Sequence, residues 1–343
     1  MPVPTRIAAH FAPSPLASQW MVSPGGDALV VGALVGLSPI LRWLCTWHPS
    51  ILPPFAPFEF SWTEFLALWL GGWWYWRGLA LTPAEQRPSM ARSLSFVAGM
   101  AVIYAVVQTR FEYLALHMFF LDRLQHVGMH HLGPLLIALA WPGPVMERGL
   151  PAVLRRLASW RAIRFSIAVL QQPLLAAFLF VGLIAFWLIP SVHFRAMLDP
   201  RLYVLMNWSM VVDGILFWCL VLDPRPQPPA RASFLMRGAL SALVMFPQIL
   251  LGAGITFASR DLYPFYDLCG RAYPAIGAGT DQILGGLIIW IPAAMMSVVG
   301  ALAVANAWRR CEGLRFDRED ASSAMAVRSS DWTGLGGCPA EPD

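Results

Sequence analysis

Long apolar runs, separated by short polar stretches rich in arginine, set the plan of this chain. A bilayer core takes roughly 20 mostly apolar residues per helix. Eight runs suit that length: Ala28–Leu44, Thr63–Ala80, Leu94–Thr109, Leu114–Ala140, Ser166–Ile189, Leu202–Leu222, Leu235–Ala258 and Ile283–Trp308. The first is the weakest, because it is short and carries Pro39 and Arg42; it suits a tilted helix or a segment lying at the interface. The pattern predicts an all-α, polytopic transmembrane helix bundle with about seven to eight spans. Around the bundle (residues 28–308) lie an N-terminal polar segment (1–27) and a Gly/Ser-rich polar tail (309–343) that reads as disordered.

Composition removes the soluble alternative. The chain is 57% hydrophobic and 13% charged, whereas a soluble domain carries about 25% charged residues. All 24 basic residues are arginine. Without lysine there is no Schiff-base chemistry and no phosphate-loop lysine. The five cysteines are scattered without a Cys-x-x-Cys pair, which speaks against a disulfide framework or a structural zinc site. The charge of +4 does not point to nucleic acid, since the arginines punctuate apolar runs instead of forming one stripe. Arginines following the second, fourth, sixth and last runs fall on one side of the alternation, among them Arg87, Arg155, Arg156, Arg231 and Arg310. By the positive-inside rule that side, with the C-terminus, is cytoplasmic. Tryptophans at run ends, such as Trp47, Trp62, Trp187 and Trp308, fit an interfacial belt.

Candidate chemistry concentrates in the fourth run. It holds His117, His126, His130 and His131 of the chain's 7 histidines, together with Asp122, Arg123 and Gln125. A charge at mid-bilayer costs about 2.5–3.5 kcal/mol on insertion scales, so these groups must face protein, water or a metal. On an α-helix Asp122, His126 and His130 share one stripe at i, i+4 spacing, while His117 and His131 point to the opposite side. Two imidazoles so spaced can ligate one ion, with the carboxylate orienting a ring. Met118 and Met129 could add soft thioethers, which favour Cu(I). The bland reading is hydrogen bonding to neighbouring helices. Asn207, Ser209 and Asp213 lie in the sixth run, and Asp281 and Gln282 open the last, where Asp281 also suits its own helix N-terminus. Gly285 and Gly286 read as packing positions and Met295 and Met296 as core filler. Pro247 and Pro292 predict kinks. His193, in an outside loop, reads as solvated.

Three segments carry a resemblance. They are His117-Met118, Gln125-His126 and Pro134-Leu135-Leu136; Gly214-x-x-Phe217-Trp218; and Asp281-Gln282-x-x-Gly285-Gly286-x-Ile288-x-Trp290-x-Pro292, preceded by Leu262-Tyr263-Pro264-Phe265-Tyr266. From about Trp62 to Trp308 the chain resembles the CtaG family of cytochrome c oxidase assembly factors, multi-span bacterial membrane proteins. Where that family commonly has a histidine four residues before the Gln-His histidine, this chain has Asp122. Where it commonly has a histidine pair in the sixth span, this chain has Asn207 and Asp213. The resemblance implies a non-enzymatic assembly factor of the cytoplasmic membrane, with oxidase subunits as partners and copper as a candidate cargo. Two other readings stay open: a membrane redox protein with bis-histidine haem, and a metal or proton transporter.

Overall fold

The structure, a computed structural model, describes residues 23–333. Among these the chain is helical, with no strand. Most of the N-terminal polar segment lies outside the described residues.

The first helix, α1 (Pro24–Trp47), starts at a capping serine: the Ser23 hydroxyl accepts from Gly26 N, and Pro24 occupies the first turn. Much of it faces outward, as the exposed Leu29, Ile40 and Trp43 record. Next come α2 (Trp62–Leu81) and α3 (Met90–Val107). Then the run expected to be one straight span breaks. A short helix, α4 (Arg110–His117), ends at an extended Met118, after which α5 (Phe119–His126) begins in a new direction. It passes through a π-helical segment (Val127–Leu132) into α6 (Gly133–Ala140).

After α7 (Gly143–Gly149) and α8 (Ala152–Ala158), the basic helix α9 (Arg161–Leu170) meets α10 (Pro173–Leu188) at 75°. No residue of α9 is buried, and Trp160, Phe165 and Leu170 are exposed beside Arg161 and Arg164. An amphipathic basic helix of this kind suits the headgroup interface better than the bilayer interior. The expected span Ser166–Ile189 is thereby shortened at its start.

The remaining helices are α11 (Pro190–Leu198), α12 (Pro200–Val221), α13 (Phe234–Leu243), α14 (Met245–Thr256), α15 (Phe265–Cys269) and α16 (Ala278–Thr333). Pro247 has no N–H for the Leu243 carbonyl, and the α13–α14 junction falls at Val244, as expected of an intrahelical proline. Pro292, by contrast, sits inside α16 without ending it. That helix runs on through the first part of the segment read as a tail; residues 334–343 lie outside the described residues.

Among the described residues five helical stretches are long and apolar enough to cross a membrane, one of them α13 and α14 together, six if the bent α9–α10 pair is one span. That is short of the expected seven to eight. The difference lies in α2, whose many tryptophans, with Glu64 and Arg77, lower its apolarity, and in the broken, polar fourth run. At about 1.5 Å per residue, α5 through α6 would still reach roughly 30 Å.

Close helix approach is built on small residues. Gly252 of α14 faces Gly286 of α16, and a Cβ on Gly252 would lie 2.8 Å from the Gly286 carbonyl and 2.8 Å from the Trp290 ring. The Gly285-Gly286 pair and Trp290 of the resemblance motif are thus packing positions. Gly285 lies against Phe119 and Arg123 of α5, and Gly286 against Thr256 of α14.

Candidate functional site

Polar groups of the fourth run divide into two buried clusters, with His117 belonging to neither. The His117 ring lies before the break at Met118, with Nδ1 at 2.7 Å from the Tyr113 carbonyl and the ring against that tyrosine.

The first cluster surrounds the start of α5. Asp281, read from sequence as a cap for its own helix, caps α5 instead. Its Oδ2 and Oδ1 accept from Phe119 N (3.1 Å) and Phe120 N (2.8 Å), and it is paired with Arg271. Gln282 ties down the incoming loop: Oε1 accepts from Leu262 N, and Nε2 donates to Ile255 O and Arg260 O. Asp122 and Arg123 form a buried ion pair, and the guanidinium lies 5.1 Å from the Phe119 ring centroid. Tyr263 stacks on Phe119 at 4.1 Å.

His193 corrects the sequence reading. Instead of being solvated it is 1% exposed, with Nε2 2.9 Å from the Tyr266 hydroxyl and 3.9 Å from Asp122. The loop Leu262–Tyr266 covers it, which no periodicity in α11 foretells. Burial pushes its imidazole down to about 3, against the opposing pull of the Asp122 carboxylate. An unfolded histidine protonates near ~6.5, so the fold binds fewer protons than the unfolded chain between these values. The contribution to stability is therefore whole above the unfolded value and is lost as pH falls toward the folded one. His193→Gln is expected to show a shallower drop in melting temperature than wild type between about pH 7 and pH 5. An equally steep drop would place the acid sensitivity elsewhere.

The second cluster lies where the π-helical segment meets α12 and α14. A π-turn closes hydrogen bonds five residues back, here from Gly133 N to Gly128 O. This rotates the following side chains away from α-helical register. The expected stripe Asp122–His126–His130 is accordingly not one ligand set, and His131 does not point away from His130. His126 holds its Nδ1 at 2.8 Å from the Asp122 carbonyl, and its buried Nε2 has no partner among the described residues. His130 and His131 are 0% and 3% exposed, with their Nδ1 atoms facing each other at 3.3 Å. Each outer nitrogen is engaged: Nε2 of His130 with Asp213 Oδ2 (3.1 Å), and Nε2 of His131 with Gln248 Oε1 (3.1 Å). Phe180 stacks on His130 at 4.2 Å and closes the side toward α10.

Sequence reasoning supplied Asp213 but missed Gln248, a lone uncharged amide in an apolar run beside Pro247. Gln125 orders the region between the clusters, accepting from the Tyr203 hydroxyl (2.9 Å) and donating to Val106 O (2.9 Å). Asn207 works elsewhere: with Gln108 it donates to the buried carboxylate of Glu64, each at 3.2 Å.

Among the described residues no three His, Cys, Asp or Glu side chains converge as a metal-binding group. What converges is a pair of imidazoles, each with one nitrogen tied to an oxygen acceptor. That is the arrangement in which the second nitrogen of a histidine is set up as a ligand.

No curated protein and no solved structure matches the chain. The family model described as Cytochrome c oxidase caa3 assembly factor (Caa3_CtaG) matches residues 72–311, the stretch holding both clusters and the motifs that build them, and the chain belongs to that family.

Proposed function

We propose that this membrane protein is a multi-pass assembly factor of the bacterial cytoplasmic membrane, with its C-terminus inside, which serves a haem-copper oxidase and catalyses no reaction of its own. Its partners would be immature oxidase subunits, met within the bilayer, and copper would pass through the histidines of α5 and the π-helical segment. The family match over residues 72–311 carries the assembly role. Support for copper comes from the imidazole nitrogens held in the bundle without a protein donor or acceptor of opposite kind, foremost the buried Nε2 of His126. Intramembrane ionisable groups are costly and by default functional.

Haem fits the geometry poorly. Bis-histidine ligation requires rings on opposite faces of the porphyrin, and the His130 and His131 nitrogens at 3.3 Å leave no room for a macrocycle between them. Deletion of the gene is expected to lower oxidase activity several-fold in copper-limited cells, with partial recovery on adding copper. Full activity and normal copper content in oxidase from the deletion strain would remove the assembly role.

A further inference from the structure

The His130–His131 pair makes three ring-nitrogen contacts, to each other, to Asp213 and to Gln248, with two imidazole protons to share among them. A neutral imidazole carries one N–H. Asp213, when ionised, only accepts, so it draws the His130 proton to Nε2. In the amide orientation of the structure, which leaves the buried Nε2 of Gln248 without a partner among the described residues, Gln248 presents Oε1. That oxygen only accepts and so draws the His131 proton to Nε2. Both Nδ1 atoms then carry lone pairs, and they face each other at 3.3 Å inside the bundle. Two lone pairs at this distance repel, and burial leaves neither of them a solvent partner. The chain Asp213–His130–His131–Gln248 therefore has a place for one unit of positive charge, and the Asp213 carboxylate balances it.

A proton can take that place, and so can a monovalent metal ion. Metal–imidazole bonds of about 2.0 Å would set the two nitrogens about 4 Å apart in a linear arrangement. Opening the pair from 3.3 Å by under an ångström is a side-chain adjustment. The donor set selects the ion. Two imidazole nitrogens without a third ligand suit Cu(I), whereas calcium, magnesium and manganese require oxygen shells. Both outer nitrogens already have the acceptors that fix ring orientation at histidine metal sites.

We propose that Nδ1 of His130 and Nδ1 of His131 form a two-coordinate site for one Cu(I) ion, with Asp213 and Gln248 as positioning residues. The identity of the metal rests on the assembly reading above; the existence of a soft-cation site does not.

The full chain, purified in detergent under reducing conditions, is titrated with Cu(I) against a chromogenic chelator, and separately with Ag(I) as a redox-inert stand-in. One ion per chain is expected, with X-ray absorption showing two nitrogen neighbours at about 2.0 Å. His130→Ala and His131→Ala should each lose it, while His117→Ala, beyond the Met118 break, should keep it. Asp213→Asn, which keeps the side-chain shape, should weaken binding about 10–100-fold, the range for a lost orienting partner. Gln248→Glu can only accept, holds the His131 proton on Nε2, and should retain the ion. Absence of a stoichiometric ion in wild type would overturn the proposal, as would equal binding in the His130 and His131 variants. Loss in His126→Ala as well would overturn the two-coordinate description. A bound ion in the purified chain, beside normal oxidase in the deletion strain, would uphold the site and fail the assembly role alone.

Discussion

Gly214→Ala is expected to be among the damaging single-methyl changes, and the one that reaches the histidine pair. The Cβ would be driven into the His130 carbonyl and lie 2.9 Å from Pro134 Cγ. Both obstacles belong to the π-helical segment and the start of α6, and neither is the movable end of a flexible side chain. Overpacking a core costs about 1–3 kcal/mol when side chains can shift, and more when backbone must. Here α12 has to move away from the segment it crosses. Asp213, the residue before Gly214, would leave His130 with it, so the histidine pair would lose its carboxylate. The variant should show a large fall in melting temperature in detergent, a poor yield of monodisperse protein and weakened metal binding. Gly182→Ala is the control, because a Cβ there meets only a Phe178 ring carbon at 4.0 Å, and it should be neutral. If both variants melt with wild type, the close crossing of α12 over the π-helical segment is wrong.

This crossing also marks where the sequence stopped being legible. Apolar run length located the helices, because lipid-facing segments must be long, apolar and internally hydrogen-bonded. It also marked the fourth run as the place of the candidate chemistry, because imidazoles and carboxylates at that depth need a reason. Which of them meet depends on phase, and phase was read from an unbroken α-helix. Two local events shift it: the extended residue Met118, and the π-turn from Val127 to Leu132. Met118 has no composition signature of the kind proline or glycine leaves, and Gly133-Pro134, which follow the π-turn, signal a disturbance without giving its phase. Met118 ends α4 because Asp281, 162 positions along the chain from Phe119, supplies the acceptors for a new helix start. The π-turn persists because His130 and His131 each find a partner on another helix, Asp213 on α12 and Gln248 on α14. Contacts of such sequence separation cannot be read from a window of neighbours. The same limit explains His193: beside the exposed Arg195 and Asp199 it looks solvated until Tyr263 and Tyr266 fold over the imidazole.

Arg123→Met should destabilise the protein by about 3–5 kcal/mol, the cost of breaking a buried ion pair from one side. Asp122 is 0% exposed, and among the described residues its other basic neighbours are histidines, at 3.7 Å for His126 Nδ1 and 3.9 Å for His193 Nε2. Neither replaces a guanidinium, which is always charged. The methionine would fill much of the volume and keep contact with Phe119, so the loss should come from the stranded carboxylate and not from a cavity. That distinction is testable in a double-mutant cycle. Asp122→Asn with Arg123→Met removes both charges, and replacing a buried pair by apolar or neutral groups is often neutral. The double variant should therefore recover most of the stability that either single change loses, as measured by unfolding in one detergent. Recovery would identify the pair as a packing and registry device at the start of α5. If the double variant unfolds cleanly as wild type does but oxidase assembly fails in cells, the Asp122–Arg123 pair serves function as well as fold. The polar region contacted by partners would then extend from the π-helical segment up to the Tyr263–Tyr266 loop.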